Sequence, residues 1–285
     1  MKCLRMLILS NVFIALAAVF LSIETQILLG LEAIVSPSVV MIFFATMFVY
    51  NLPRLIKLIN NMNELLKGKD YWVVKHKYLY FVLTGISLTG IFLSIIHTNL
   101  FAFTALLPFI IITLFYSLPL TKKTAFLFSL REIPYLKIFL IAIVWSGVTV
   151  VVPAIESDLT CTVRDIILLI TERFLFVFAI TIPFDIRDME ADHKSGLKTI
   201  PLKIGEKNAE ILSFLSLILY FIISVLHFGL QKQHLLITAT VISFLITFIS
   251  LRVKKLRKHP IYYYGILDGT MLIQGIVVLL TSTNI

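Results

Sequence analysis

Residues 185–207 read DIRDMEADHKSGLKTIPLKIGEK and follow directly on a long apolar stretch. The segment gathers carboxylates and cations in a chain that elsewhere avoids charge. Asp185, Asp188 and Asp192 are three and four positions apart, which puts their side chains on one face of a helix. A stripe of carboxylates at the end of an apolar helix needs counter-charge. A hard cation such as Mg2+, bridged to phosphate oxygens, is the usual source. The plainer alternative is a solvated helix whose acids offset Arg187, Lys194 and Lys198.

The surrounding chain has the composition of a membrane protein. Hydrophobic residues make up 59% of 285 positions and charged residues 14%, with a mean hydropathy of +0.99. Soluble chains carry roughly 25% charged residues. A membrane helix needs about 20 apolar residues, and nine stretches qualify: 6–29, 35–53, 79–97, 100–118, 133–152, 163–184, 208–228, 234–252 and 261–282. They are too long for barrel strands and lack the alternation a barrel requires. The fold class is therefore an all-α polytopic membrane protein, with residues 1–285 forming a single transmembrane domain.

Positive charge sets the orientation. Lys2 and Arg5 precede the first stretch. Arg54, Lys57, Lys67, Lys69, Lys75 and Lys77 follow the second, and Lys122, Lys123 and Arg131 the fourth. Arg187, Lys194, Lys198, Lys203 and Lys207 follow the sixth, and Arg252, Lys254, Lys255, Arg257 and Lys258 the eighth. The intervening connections carry only Lys232. This alternation predicts a cytoplasmic N-terminus, a cytoplasmic Asp-rich segment, an outside C-terminus and residence in the cell membrane. It also argues that the first stretch is a retained helix rather than a cleaved signal segment.

The net charge of +9 is accounted for by the same rule and gives no ground for nucleic-acid binding. Cys3 and Cys161 fall on opposite sides of the membrane in this topology and cannot pair. No zinc spacing, phosphate-binding glycine loop or serine elbow occurs.

With these residues in view, the segment from Asp185 to Gly205 resembles the second Asp-rich motif of the UbiA prenyltransferase superfamily. That motif has a D-x-x-x-D core, then Gly, Lys or Arg-Thr-Leu-Pro and a further Gly. Asp188 and Asp192 match the core, and Asp185 matches an acid often found three positions earlier. Tyr116 and Ser117, followed by Pro119, Lys122 and Lys123, resemble the family's Tyr-Ser-x-Pro stretch with its trailing basic residues. The resemblance implies a nine-helix UbiA-like bundle and Mg2+-assisted transfer of a prenyl group from an isoprenoid diphosphate to an aromatic, quinone-precursor or lipid acceptor. It also implies roles: Asp185, Asp188 and Asp192 for metal, and Lys122, Lys123, Lys198, Arg54 and Asn51 for diphosphate. Tyr50, Tyr116 and Asp268 are candidates to line the cavity. The oligomeric state is left open.

The chain departs from the family at its other motif, N-D-x-x-D-x-x-x-D. Here Asn51 is present, but the three acidic positions are Leu52, Leu55 and Ile59. Three explanations stand open. Arg54 and Lys57 could bind diphosphate in place of a metal. Glu64, Asp70 or Asp268 could supply the missing carboxylates. Or the fold is kept without the transfer chemistry, as a non-catalytic isoprenoid- or quinone-binding protein. A transporter using Asp268 and Glu172 is a reading from another class.

The other ionisable residues have plainer readings. Glu172 and Arg173 are expected to pair with neighbouring helices, and Glu24 to sit at the outer interface. His97 and His227 lie at outer helix ends as unlikely ligands, and His193 faces solvent.

Overall fold

The computed structural model describes residues 2–60, 71–117, 130, 133–156 and 161–282. Among these, every regular element is helical. In chain order the principal helices are α1 (Lys2–Leu9), α2 (Val12–Leu28), α3 (Pro37–Asn60), α4 (Lys77–His97), α5 (Leu100–Ser117), α6 (Leu136–Glu156), α7 (Val163–Lys194), α8 (Glu206–Leu230), α9 (His234–Arg252) and α10 (Tyr262–Ser282). Seven of these helices, α3, α4 and α6 to α10, are long and apolar enough to cross a membrane; α2 and α5 are shorter apolar helices.

Two boundaries matter for the site, and the first differs from the sequence expectation. The first apolar stretch is not one helix: Asn11 adopts a left-handed conformation (φ 63°) and separates α1 from α2. Its short amide side chain makes that conformation accessible. The sixth apolar stretch ends near residue 184 and the helix runs on to Lys194, as the helical spacing of the three acids predicts. The Asp-rich segment is therefore an extension of a spanning helix, which gives its side chains a fixed register.

The helices close into a ring. Contacts run α2–α3, α3–α5, α5–α6, α6–α7, α7–α8, α8–α9 and α9–α10, and α10 returns to α2, while α4 packs outside on α3. The closure between α10 and α2 is unusually tight. A Cβ added at Gly275 would stand 2.5 Å from the backbone oxygen of Phe20, so only glycine permits this approach.

Charge buried in this ring is paired. Arg173 on α7 bonds Glu24 on α2 at 2.8 Å, with both side chains almost fully enclosed. Glu24 is thus an interior residue rather than an interfacial one. A carboxylate in low dielectric needs a partner, and Arg173 is within reach across the ring. Glu172, one residue earlier, meets His227 Nδ1 at 2.8 Å and accepts from Ser224 on α8. His227 also reaches Asp165 at 3.2 Å.

Removing one partner of such a pair strands the other. Glu24→Ala should lower stability by about 3–5 kcal/mol in detergent unfolding experiments. Replacing Glu24 and Arg173 together by leucine should restore most of it. Additive losses in the double variant would contradict the pairing.

Candidate functional site

The site begins with the end of α7. Pro183 lies inside this helix and has no N–H to offer the carbonyl four residues back. That carbonyl, of Ala179, is satisfied instead by Ser213 Oγ of α8 at 2.7 Å. The helix therefore passes its proline and carries the acids onward. It stops in a Schellman arrangement: Leu197 N–H donates to Asp192 O at 2.9 Å and Gly196 N–H to His193 O at 3.1 Å. Gly196 supplies the positive φ of 76° that this stop requires.

The three acids then find cations, and two share one. Lys137, in the first turn of α6, places Nζ 2.6 Å from Asp185 Oδ1 and 3.3 Å from Asp192 Oδ2. Lys137, Asp185 and Asp192 are 8%, 1% and 3% exposed, so this cluster is largely shielded from solvent. Asp185 Oδ2 has no hydrogen-bond donor among the described residues. Asp188 is more open and takes a bidentate bond from its neighbour Arg187, with Nε to Oδ1 at 2.7 Å and Nη2 to Oδ2 at 2.9 Å.

Arg187 is held on its other side by aromatic rings. Its guanidinium carbon is 4.5 Å from the Tyr263 ring centre and 5.3 Å from those of Phe184 and Tyr264. Aromatic faces attract such a cation. The two tyrosines lie in a π-helical segment, Tyr262–Leu267, at the start of α10. A π segment of this kind often marks a functional site.

These groups open on a cavity of about 450 Å³ between α3, α5, α6, α7 and α10. Its polar wall includes Tyr50, Tyr116, Lys137, Asp185, Arg187, Asp188, Tyr264 and Asp268. A second cavity of about 260 Å³ is lined almost wholly by apolar residues and shares Val49, Tyr50, Thr113, Val144 and Trp145 with the first. Together they offer an amphiphile a polar end and a greasy end.

The residues singled out in sequence divide accordingly. Asp185, Asp188, Tyr50, Tyr116 and Asp268 line the cavity, and Asp192 stands behind its wall on Lys137. Asn51 is fully buried elsewhere. It accepts from Asn11 Nδ2 at 2.8 Å and donates to Ser10 O at 3.3 Å, which fastens α3 to the break between α1 and α2. Arg54 serves the same junction, donating to Leu9 O and to Tyr80 Oη. Lys198 is exposed and outside the lining. Lys122, Lys123, Glu64 and Asp70 lie outside the described residues. Lys137 went unremarked in sequence. As a cation inside an apolar stretch, it carried the signal that marks intramembrane sites.

The expectation that Asp185, Asp188 and Asp192 hold Mg2+ meets a different arrangement. Protein-bound Mg2+ takes near-octahedral oxygen ligands at about 2.0–2.1 Å. Here Asp185 and Asp192 converge on an ammonium, and both oxygens of Asp188 on a guanidinium. Among the described residues no group of three or more His, Cys, Asp or Glu side chains is arranged to hold a metal ion. The described residues do not fit the metal.

Because Asn51 acts on the α1–α2 junction, Asn51→Ala should lower stability by about 1–3 kcal/mol and leave ligand affinity at the cavity unchanged. Thermal denaturation alongside ligand titration checks this. Lost affinity at full stability would put Asn51 in the binding site.

Comparison with known proteins follows the same lines. Residues 73–261 match the model of the UbiA prenyltransferase family. Among solved structures, the fold is similar to the apo form of a UbiA homolog from Aeropyrum pernix K1. That protein is 14% identical, with a TM-score of 0.65 over 93% of this chain and 97% of that one. A UbiA homolog from Archaeoglobus fulgidus bound to GPP and Mg2+ is 18% identical, with a TM-score of 0.60 over 98% and 99%. A digeranylgeranylglyceryl phosphate synthase is 17% identical, with a TM-score of 0.54 over 99% and 98%. No curated protein matches the chain by sequence. At these identities the structural likeness is one of fold.

Proposed function

Since the chain belongs to the UbiA prenyltransferase family and is a multi-pass integral membrane protein, we propose that it transfers an isoprenoid group from an allylic diphosphate to a lipophilic acceptor. The acceptor would be an aromatic quinone precursor or a lipid. The observation that carries this reading is a pair of adjacent cavities with five lining residues in common, one walled by Lys137, Arg187 and tyrosines, the other apolar. An isoprenoid diphosphate has the same division between a charged head and a hydrocarbon tail. GPP, bound by the Archaeoglobus fulgidus relative, belongs to this class.

In this reading the tail lies against Trp145, Val144 and Ile42, and the head meets Arg187 and Lys137. The allylic C–O bond breaks, its electron pair leaves with the diphosphate, and the two cations stabilise that charge as it develops. The aromatic faces of Tyr50 and Trp145 stabilise the carbocation, and the apolar walls beside them disfavour water that would quench it. The acceptor's nucleophilic atom forms the new bond to the allylic carbon and gives up a proton. Asp268 is suited to take that proton: it lines the cavity, and among the described residues no hydrogen bond or salt bridge engages its carboxylate. Mg2+, present with GPP in the Archaeoglobus relative, enters no step here, because the described residues do not fit it.

The same proposal has α2 and α5 crossing the membrane with the seven longer helices, giving nine spans. The N-terminus and the Asp-rich end face the cytoplasm, the C-terminus faces outside, and the protein resides in the cell membrane. The alternation of positive connections supports this. The whole chain acts as one domain.

A second reading has one specific observation behind it. The acids of the Asp-rich segment are already paired with Lys137 and Arg187, as suits a protein that binds an isoprenoid or quinone without turning it over. Radiolabelled allylic diphosphates of several chain lengths, offered with a membrane-lipid and quinone-precursor extract, separate the two. Transfer predicts a labelled lipophilic product whose formation falls by about tenfold or more in Arg187→Met. Binding without product supports the second reading, and absence of both overturns the family-based proposal.

If Asp268 takes the acceptor proton, Asp268→Asn should slow turnover by about 10²-fold or more with diphosphate affinity retained. Equal loss of affinity and turnover would make Asp268 a binding group instead.

A further inference from the structure

The carboxylates at the polar end of the cavity pose a problem of charge. Asp185 and Asp192, seven positions apart on α7, converge on a single point between α6 and α7. That convergence is what a divalent ion would ask of two carboxylates, and here the point is taken by the Nζ of Lys137. The ammonium is fixed by the chain around it. Tyr135, just before α6, is left-handed at φ 66°, and its N–H donates to Lys198 O at 2.8 Å. The start of α6 is thereby tied to the loop that follows α7. The ring of Tyr135 lies 4.8 Å from Lys203 Nζ, a second tie between the same segments.

On the facing helix α3, the positions that carry acids in the family motif are Leu52, Leu55 and Ile59. Apolar side chains there and a cation on α6 are changes in the same direction: each removes a reason for a divalent ion.

We propose that Lys137 is a built-in replacement for a divalent cation, so that this site binds its anionic headgroup without metal. An ammonium has three donors. Two are engaged by Asp185 and Asp192, and Lys137 itself stands on the cavity wall. Lys137 supplies one positive charge between the two acids and meets a headgroup oxygen, with Arg187 as the second cation on the cavity wall. The inference rests on the diphosphate reading for the identity of the headgroup. The metal half of it can be read without any headgroup.

The test uses the full chain in nanodiscs, with geranyl thiodiphosphate, a non-ionising analogue, as the probe and Mn2+ as a paramagnetic reporter of the metal site. Wild-type affinity for the probe should change by less than about threefold between Mg2+ and EDTA. Lys137→Gln should lose about tenfold or more in EDTA and recover when Mg2+ is added, because the freed acids can now take a metal. Lys137→Arg keeps the charge and controls for folding; it should retain binding in EDTA. Without probe, the wild type should bind no Mn2+ at Asp185, whereas Lys137→Gln should gain a Mn2+ signal that Asp185→Asn removes. Wild-type binding that collapses in EDTA overturns the inference. So does a wild-type Mn2+ signal that Asp185→Asn removes. Failure of the probe to bind in both Mg2+ and EDTA overturns the diphosphate reading, while the Mn2+ arm still decides the role of Lys137.

Discussion

An ammonium enclosed between two carboxylates governs this molecule. A charge moved into low dielectric without a partner is prohibitively costly, and a group that keeps its charge there must be met by its opposite. Lys137 meets Asp185 and Asp192, and in doing so binds the start of α6 to the last turns of α7. The rest of the polar end follows from that union. Gly196 stops α7 one turn beyond Asp192, and the loop that leaves it returns a carbonyl to Tyr135. Asp188 is left at the open edge, where Arg187 and its aromatic neighbours hold it. The opposite part of the bundle obeys the same rule with other residues, Arg173 to Glu24 and Glu172 to His227.

A ring of helices so pinned leaves an interior that is polar at one end and apolar along its length. Neither property alone is informative in a membrane protein. Their adjacency is, because Tyr50 and Trp145 line both cavities. The family supplies the chemical expectation of an isoprenoid diphosphate. In the proposed reading, Lys137 on α6 and Arg187 on α7 meet its charge, while the acidic positions of the family's other motif are Leu52, Leu55 and Ile59.

Much of this was legible in the sequence. The apolar runs gave the helices, and the charged stretch after residue 184 gave the family. What escaped were pairings between distant segments. Glu24 read as an interfacial acid because nothing in its own stretch shows Arg173, 149 positions away, as its partner. Asn51 and Arg54 read as ligands of a diphosphate by analogy, whereas a left-handed Asn11, invisible in an apolar run, gives both of them a structural task. Lys137 was the most costly omission. It stood alone at the head of an apolar stretch, and the positive-inside pattern accounted for basic residues at that end without asking what each one touches. The helical continuation of α7 past residue 184 was legible in the three- and four-residue spacing of its acids; the cations those acids meet on α6 and beside them were not.

The most direct measurement is an experimental structure of the full chain in a lipid disc with geranyl thiodiphosphate and Mg2+ both present. The account predicts the diphosphate within hydrogen-bonding distance of Lys137 and Arg187, the tail beside Trp145, and Lys137 Nζ still between Asp185 and Asp192. Lys137 displaced by a metal ion bridging those two acids would contradict it, as would a ligand bound outside the two cavities.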